Sequence, residues 1–262
     1  MERTDFKRNF LKEIILRLDF QGVFQAEMEK ILVEAKAFLK DQRFNKYEES
    51  VSSTIIGDSS AIKNVQSQIV YVFNSDLHDY TVSLSASYII LSVRCASYSL
   101  FEEYSKIFLA LANIYKDKID FFTVKRLGIR KINKCLIENV ADVNKYFNSK
   151  YYDSSENVDN YSHIFREQRE QLVGKLSRLN LTYTMGVGKI GTKEMLQIIF
   201  DSDVYMDQTN AIEETLYSKK HLNDLNDTLF SAYVSILTDE FQHILTGESE
   251  VPVGILGVEE NE

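Results

Sequence analysis

Residues 10–20, FLKEIILRLDF, alternate apolar and charged side chains along most of their length. The two kinds of side chain separate when the segment is drawn as a strand, because successive side chains of a strand point to opposite faces. The apolar face is Phe10, Ile14, Leu16, Leu18 and Phe20, and the charged face is Glu13, Arg17 and Asp19. This pattern predicts a strand with one buried face and one open face.

The rest of the first half contains alternating predicted strands and helices. Apolar residues at helical spacing predict two amphipathic helices, 24–41 and 100–118. β-branched and aromatic residues favour strands over 65–76, over 80–95 and over 121–137, where 80–95 is either one long strand or two joined near 85–87. Residues 45–60 are polar and irregular, which is typical of a surface loop. The order suggests an antiparallel sheet with two helices on one face.

The second half is predicted to begin with a short helix over 138–152 and a polar linker. Three strands follow at 163–176, 179–188 and 195–206, and a long helix spans 209–246. We therefore expect an α+β fold with two mainly antiparallel sheets, flanking helices and a long C-terminal helix. The expected division is an N-terminal lobe, a C-terminal lobe and an acidic flexible tail, with the boundaries 1–137, 138–247 and 248–262.

Composition limits the classes of function. The chain of 262 residues has a formal net charge of −9, and the segment from Asp239 to Glu262 holds seven acids and no Lys or Arg. The balance disfavours general nucleic-acid binding but leaves room for a local basic patch. The sequence has no run of eighteen apolar residues, the length that would predict a membrane span. The N-terminus lacks the apolar region of a signal peptide. We expect a cytoplasmic protein whose Cys95 and Cys135 are buried thiols.

One predicted strand carries the best candidate site. The stretch 123–133, TVKRLGIRKIN, contains four basic residues and no acid. As a strand, it places Arg126, Gly128 and Arg130 on one face, so two guanidinium groups flank a position without a side chain. That notch fits an anion or a nucleotide base edge. Asn133, near the end of the stretch, completes the predicted site.

A structural interpretation of the same residues stays open. Arg126 and Arg130 would pair with acids of neighbouring strands, either Glu13 and Asp19 or Glu167 and Glu170. Gly128 would then mark close packing or a bulge. Whether the two arginines face solvent or acids decides between the interpretations.

Four segments together resemble a known family. They are FLKEIILRLDF, the run YSLFEEY at 98–104, RLGIRKIN at 126–133, and a predicted C-terminal helix rich in Leu, His and Phe. The chain resembles a family of uncharacterised, sporadically distributed bacterial and archaeal proteins with an R-x-G-[LI]-R-x-[IV]-N segment. The matching residues here are Arg126, Gly128, Ile129, Arg130, Ile132 and Asn133. The resemblance implies no activity. The family's sporadic distribution would be typical of genes carried by mobile elements or of phage-defence genes.

Motifs of catalysis are not found in the sequence. There is no GxSxG or HExxH pattern, and GVGKIGTK at 186–193 fails the phosphate-loop pattern because Tyr183 and Ile190 occupy required Gly and Ser/Thr positions. We expect no cofactor and no metal. The sequence favours a non-enzymatic binding or interaction protein with a protein partner or self-association, for which the last helix is a candidate surface. The alternative is a nucleotide- or RNA-binding protein that uses the strand around Gly128.

Overall fold

The computed structural model describes residues 2–58, 61–76, 79–94, 101–152, 165–190, 193–207 and 218–261. Twelve strands fall within these ranges. They are β1 (Arg8–Asn9), β2 (Leu11–Phe20), β3 (Phe44–Asp58), β4 (Ala61–Ser75), β5 (Tyr80–Ser85), β6 (Tyr88–Arg94), β7 (Val124–Ile137), β8 (Phe165–Val173), β9 (Arg178–Ile190), β10 (Lys193–Asp207), β11 (Ile255–Leu256) and β12 (Glu259–Glu260).

The same ranges contain five α-helices, of which three are long. They are α1 (Gln25–Asp41), α2 (Phe101–Lys118), α3 (Val143–Tyr146), α4 (Lys219–Ser235) and α5 (Asp239–Leu245). Within the described residues, no helix has the length and apolar content needed to cross a membrane.

The strands form one large and one small antiparallel sheet, so the α+β class is confirmed. In the large sheet the order is β3-β4-β5-β6-β2-β7-β10-β9-β8, and β11 pairs with the end of β7. The small sheet is β1 with β12. The large sheet contains strands from both expected lobes, because β7 lies between β2 on one side and β10 on the other.

The helices cover one face of the large sheet and build the core there. The predicted apolar face of β2 is buried, with Ile14, Leu16 and Leu18 fully inaccessible. Helix α2 contacts β2 and β6, and α4 contacts β7 and β10. Since side chains alternate along each strand, the other residues of these strands point to the opposite face, on which none of the described helices packs. We call this the uncovered face.

One prediction of secondary structure is corrected, and one alternative is decided. Residues 45–60 were expected to form a loop, but β3 covers 44–58 and pairs with β4 along its length. β3 is an edge strand, and its described part is mostly exposed, so it lacks the apolar alternation that marks a half-buried strand. Over 80–94, the described part of the predicted segment 80–95, the chain forms two strands, β5 and β6, joined near 85–87.

The single long C-terminal helix is not confirmed. α4 ends at Ser235, and α5 begins after Thr238, whose hydroxyl accepts a hydrogen bond from the Phe241 amide at 3.3 Å. The same hydroxyl donates to the carbonyl of Lys145 at 2.6 Å, so a tertiary contact fixes the break between the helices. The first residues of the predicted helix, 209–217, lie outside the described residues.

The acidic C-terminal segment runs back across the molecule. Ile255 and Leu256 pair with Ile137 and Leu136, beside the point where β2 leaves β7. Gly257 has φ +87°, a backbone conformation that is strained for a residue with a side chain. A Cβ there would also lie 3.2 Å from the Lys134 carbonyl oxygen. The chain then reaches β1, where the Arg8 guanidinium donates to Glu260 at 2.7 Å.

Candidate binding site on the uncovered face

The predicted basic strand is β7, at the centre of the uncovered face. Arg17 of β2 pairs with Gly128 of β7, and Gly128 pairs with Tyr205 of β10. Arg126 and Arg130 stand on either side of this row. Charged residues of three neighbouring strands therefore meet around the one position of β7 that has no side chain.

Arg126 fills the notch that the sequence predicts at Gly128. Its Nη2 donates to both carboxylate oxygens of Asp203, at 2.9 and 3.2 Å. Its guanidinium carbon lies 4.2 Å from the centre of the Tyr205 ring, which is a cation–π contact. A Cβ at Gly128 would be 3.5 Å from the Arg126 Nε and 3.1 Å from the Tyr205 Cβ. Gly128 therefore provides room for its neighbours' side chains.

Arg130 forms a two-point pair with Asp201. Its Nε donates to one carboxylate oxygen at 2.8 Å, and its Nη2 donates to the other. This hydrogen bonding is the main reason that the pKa of Arg130 is raised. The side chain of Arg130 is still 47% exposed, so one edge of the guanidinium group remains open to solvent.

Arg17 makes the third arginine–aspartate pair of this face. Its Nη2 lies 2.8 Å from Asp19 Oδ1, and its guanidinium carbon lies 5.3 Å from the centre of the Tyr88 ring. Burial raises the pKa of Tyr88, and the neighbouring Arg17 opposes this shift. These three arginines, Arg17, Arg126 and Arg130, are thus each matched by an aspartate.

Asn133 lies apart from the other predicted site residues. It is fully buried on the helix-covered face, and its amide Nδ2 lies 3.4 Å from the carbonyl oxygen of Phe200. The structure brings together Arg126, Gly128 and Arg130 but places Asn133 on the opposite side of the sheet.

The acids that pair with the two arginines of β7 were not predicted from the sequence. They are Asp201 and Asp203 of β10, and not the acids of β2 and β8 that were expected as partners. A signal was present: β10 reads FDSDVYMD at 200–207, with acids at alternate positions of an otherwise apolar strand. The pairing of β10 with β7 joins segments about 70 residues apart, and short-range patterns do not report such pairings.

A groove crosses the strands of the uncovered face. One cavity of about 420 Å³ is lined from five neighbouring strands, from Ser83 of β5 to Asp203 of β10. A second cavity of about 820 Å³ continues toward Ser52 of β3. Both cavities are lined by Arg17 and Ile90, so they adjoin there. We call the two together the cross-strand groove.

The lining of the cross-strand groove is rich in groups that both donate and accept hydrogen bonds. Five serines contribute, together with Gln68 and Tyr88: Ser52, Ser67, Ser83, Ser87 and Ser92. The three arginines also line it, but each is paired with a carboxylate. The groove therefore offers hydrogen bonds with little net charge, which suits a polar, uncharged ligand better than a phosphate.

Other candidate residues do not form a second cluster in the described part of the chain. No group of three or more His, Cys, Asp or Glu side chains there could hold a metal ion. His221 lies 2.7 Å from the Ser218 hydroxyl, and His243 lies 2.5 Å from Glu248. Cys135 is a buried thiol, as predicted, and burial raises its pKa. Cys95, His78 and His163 lie outside the described residues.

The aromatic residues near the predicted linker belong to the core. Tyr146, Phe147 and Tyr152 are at most 3% exposed. Phe147 packs edge-on against Phe10, with ring centres 5.9 Å apart. These rings join the N-terminal segment to the short helices of the second half, so they are not available to stack on a nucleic-acid base.

No family model matches this chain, and no curated protein matches it. Three solved structures show a weak likeness. DynU16, of the dynemicin biosynthetic locus, has a TM-score of 0.19 at 8% identity and covers 87% of this chain and 98% of its own. The di-domain ARO/CYC protein StfQ, of the steffimycin pathway, has a TM-score of 0.18 at 7% identity and covers 90% and 97%. The S. pombe RNA triphosphatase Pct1 has a TM-score of 0.16 at 7% identity and covers 86% and 84%. Likenesses at this level carry no argument about this chain.

Proposed function

We propose that this chain is a non-enzymatic, cytoplasmic binding protein that holds an extended segment of a protein partner in the cross-strand groove. The observation that carries the proposal is the pair of adjoining cavities on the uncovered face, joined at Arg17 and Ile90. Among the described elements no helix packs on this sheet face, so those elements leave it open to a partner.

The chemistry of the groove supports a polypeptide as the ligand. Each residue of an extended peptide presents one N–H donor and one C=O acceptor. Serine hydroxyls and the Gln68 amide can satisfy both kinds of group. Ile15 and Ile90 add apolar contact on the groove floor. The balanced Arg–Asp pairs do not favour a ligand of either charge.

A nucleotide or RNA ligand is the second candidate, supported by the partly exposed guanidinium group of Arg130. An anion would have to compete with Asp201 for that group. Its binding would be sensitive to salt, because it would depend on charge. Asp201 and Asp203 would repel the phosphate at close range, which places this candidate below the first.

The test begins with affinity purification from a natural host, with co-eluting protein and nucleic acid both identified. The identified partner is then titrated against purified wild type and against Arg17→Ala, which alters both cavities. We expect affinity to fall about tenfold or more. Arg178→Ala is the matched control, since Arg178 also pairs with an aspartate on this sheet, Asp207 at 3.4 Å, but lies outside both cavities.

The outcomes separate the two candidates. A nucleotide or RNA that is lost from an Arg126→Ala/Arg130→Ala double variant would replace the first proposal by the second. A protein partner that binds wild type, Arg17→Ala and the double variant equally would show that binding occurs on another surface.

A further inference from the structure

Among the strands that the structure describes, β8 is the last strand at one edge of the large sheet. It pairs with β9 on one side, and among the described residues no strand pairs with its other side. Every residue from Phe165 to Val173 is exposed or half-exposed, with Phe165 at 60% and Val173 at 76%. An open edge presents a row of unpaired backbone groups, which can pair with another strand unless the sequence prevents it.

The side chains of β8 do not protect this edge. Proline and lysine, which commonly block edge pairing, do not occur between Phe165 and Val173. The charges alternate in sign instead, in the order Arg166, Glu167, Arg169 and Glu170. A run of one sign would repel a second copy of the strand, whereas this arrangement does not.

The charges are self-complementary in one antiparallel register. When two copies of β8 pair about Gln168, Arg166 lies opposite Glu170 and Glu167 lies opposite Arg169. Opposed residues of an antiparallel pair share a face of the sheet, so both ion pairs can form, and each forms twice. The two copies of Gln168 face each other and can exchange amide hydrogen bonds.

Neighbouring registers are disfavoured by the same residues. Each residue keeps its own face of the sheet in an edge-to-edge dimer, so the nearest alternative registers are shifted by two residues. In one, Glu167 lies opposite Glu167 of the second copy, and in the other Arg169 lies opposite Arg169. Like charges directly opposite each other destabilise a strand pair. The pattern therefore both favours one register and opposes the two nearest alternatives, as an interface that closes about a two-fold axis requires.

We propose that a second copy of this chain binds edge to edge along β8, about a two-fold axis at Gln168. The large sheets of the two copies then form one continuous antiparallel sheet. Glu167, which already pairs with Arg169 of its own strand at 2.7 Å, lies between two arginines in the dimer. The inference does not depend on the cross-strand groove, whose lining ends at Asp203 of β10, so that β9 lies between the groove and β8.

The test reverses the charges of Glu167 and Arg169. Both side chains belong to the edge strand β8. Glu167→Arg alone and Arg169→Glu alone each place like charges opposite each other in a homodimer. We expect self-association to weaken about tenfold or more in each. The Glu167→Arg/Arg169→Glu double variant exchanges the two charges and restores dimerisation.

Mixing the two single variants gives the decisive measurement. Each is defective alone, but a heterodimer of the two has opposite charges at both positions, so the mixture should associate as wild type does. Sedimentation velocity from micromolar to millimolar protein reports the mass, and circular dichroism checks that each variant is folded. A wild type that stays monomeric throughout overturns the proposal. So does a wild-type dimer that survives in both single variants, or a mixture that fails to associate.

Discussion

At the scale of single residues, Gly128 is explained by its neighbours' side chains. A Cβ there would lie 3.1 Å from the Tyr205 Cβ and 3.4 Å from the Val204 carbonyl oxygen. We expect Gly128→Ala to lower the free energy of unfolding by about 1–3 kcal/mol, because β7 and β10 must move apart. Urea unfolding measures this. Gly22→Ala is the control, since its Cβ would lie 3.8 Å from its nearest neighbour and should change stability by less than about 1 kcal/mol.

Lys131 predicts a pH dependence of stability. It is 1% exposed, and burial lowers its pKa well below the ordinary value, with Arg3 lowering it further and Asp227 opposing. In the unfolded chain the amine holds its proton up to about pH 10. Between the two pKa values the unfolded state binds more protons, so stability rises with pH, by at most about 1.4 kcal/mol per pH unit.

The measurement for Lys131 compares urea unfolding at pH 7, 8 and 9. This range stays below the ionisation of unfolded tyrosines, which would lower stability because burial raises the pKa of Tyr115 and Tyr152 in the folded chain. Burial raises the pKa of the Cys135 thiol in the same way, and this thiol lowers stability from about pH 8.5 in wild type and variants alike. Lys131→Met should flatten the rise of stability with pH, and Lys125→Met, at an exposed position near the start of β7, should keep it. Parallel curves for wild type and Lys131→Met would contradict the prediction.

At the scale of elements, the C-terminal segment is part of the sheet. Ile255 is 4% exposed and pairs with Ile137, while Val253, two residues earlier, is 95% exposed. We expect Ile255→Ala to cost about 2–4 kcal/mol of stability through lost burial and a residual cavity. Val253→Ala is the matched control and should stay within about 0.5 kcal/mol. Equal effects of the two substitutions would mean that β11 does not dock in solution.

The elements that sequence patterns predict well are those with one buried face. The alternation at 10–20 and the helical spacing at 24–41 both follow from packing against a single core. β3 shows the limit, because its described side chains are mostly exposed and its order comes from pairing with β4. The break between α4 and α5 shows another limit, since Thr238 is fixed by the Lys145 carbonyl, far away in sequence.

At the scale of the whole molecule, strand order decides what the candidate site is. The alternation on β7 predicts that Arg126, Gly128 and Arg130 share a face, and they do. The same alternation puts Asn133 on the other face. The partners Asp201 and Asp203 depend on β10 lying beside β7, which no local pattern contains. The sequence therefore supports the position of the charges but leaves open whether they are free or paired.

The same strand order predicts how the molecule unfolds. β7 and β10 are paired at twelve positions, from Arg126–Asp207 to Ile137–Leu196, so residues 1–137 and 138–247 share one sheet and one core. Separating them would expose the long central strands together. We expect α1 and α4 to lose hydrogen-exchange protection at the same urea concentration, as a single cooperative unit does. Mass spectrometry of exchange along a urea series measures this. If α4 lost protection at a clearly lower concentration, the two lobes would be separate folding units joined by a weaker β7–β10 seam.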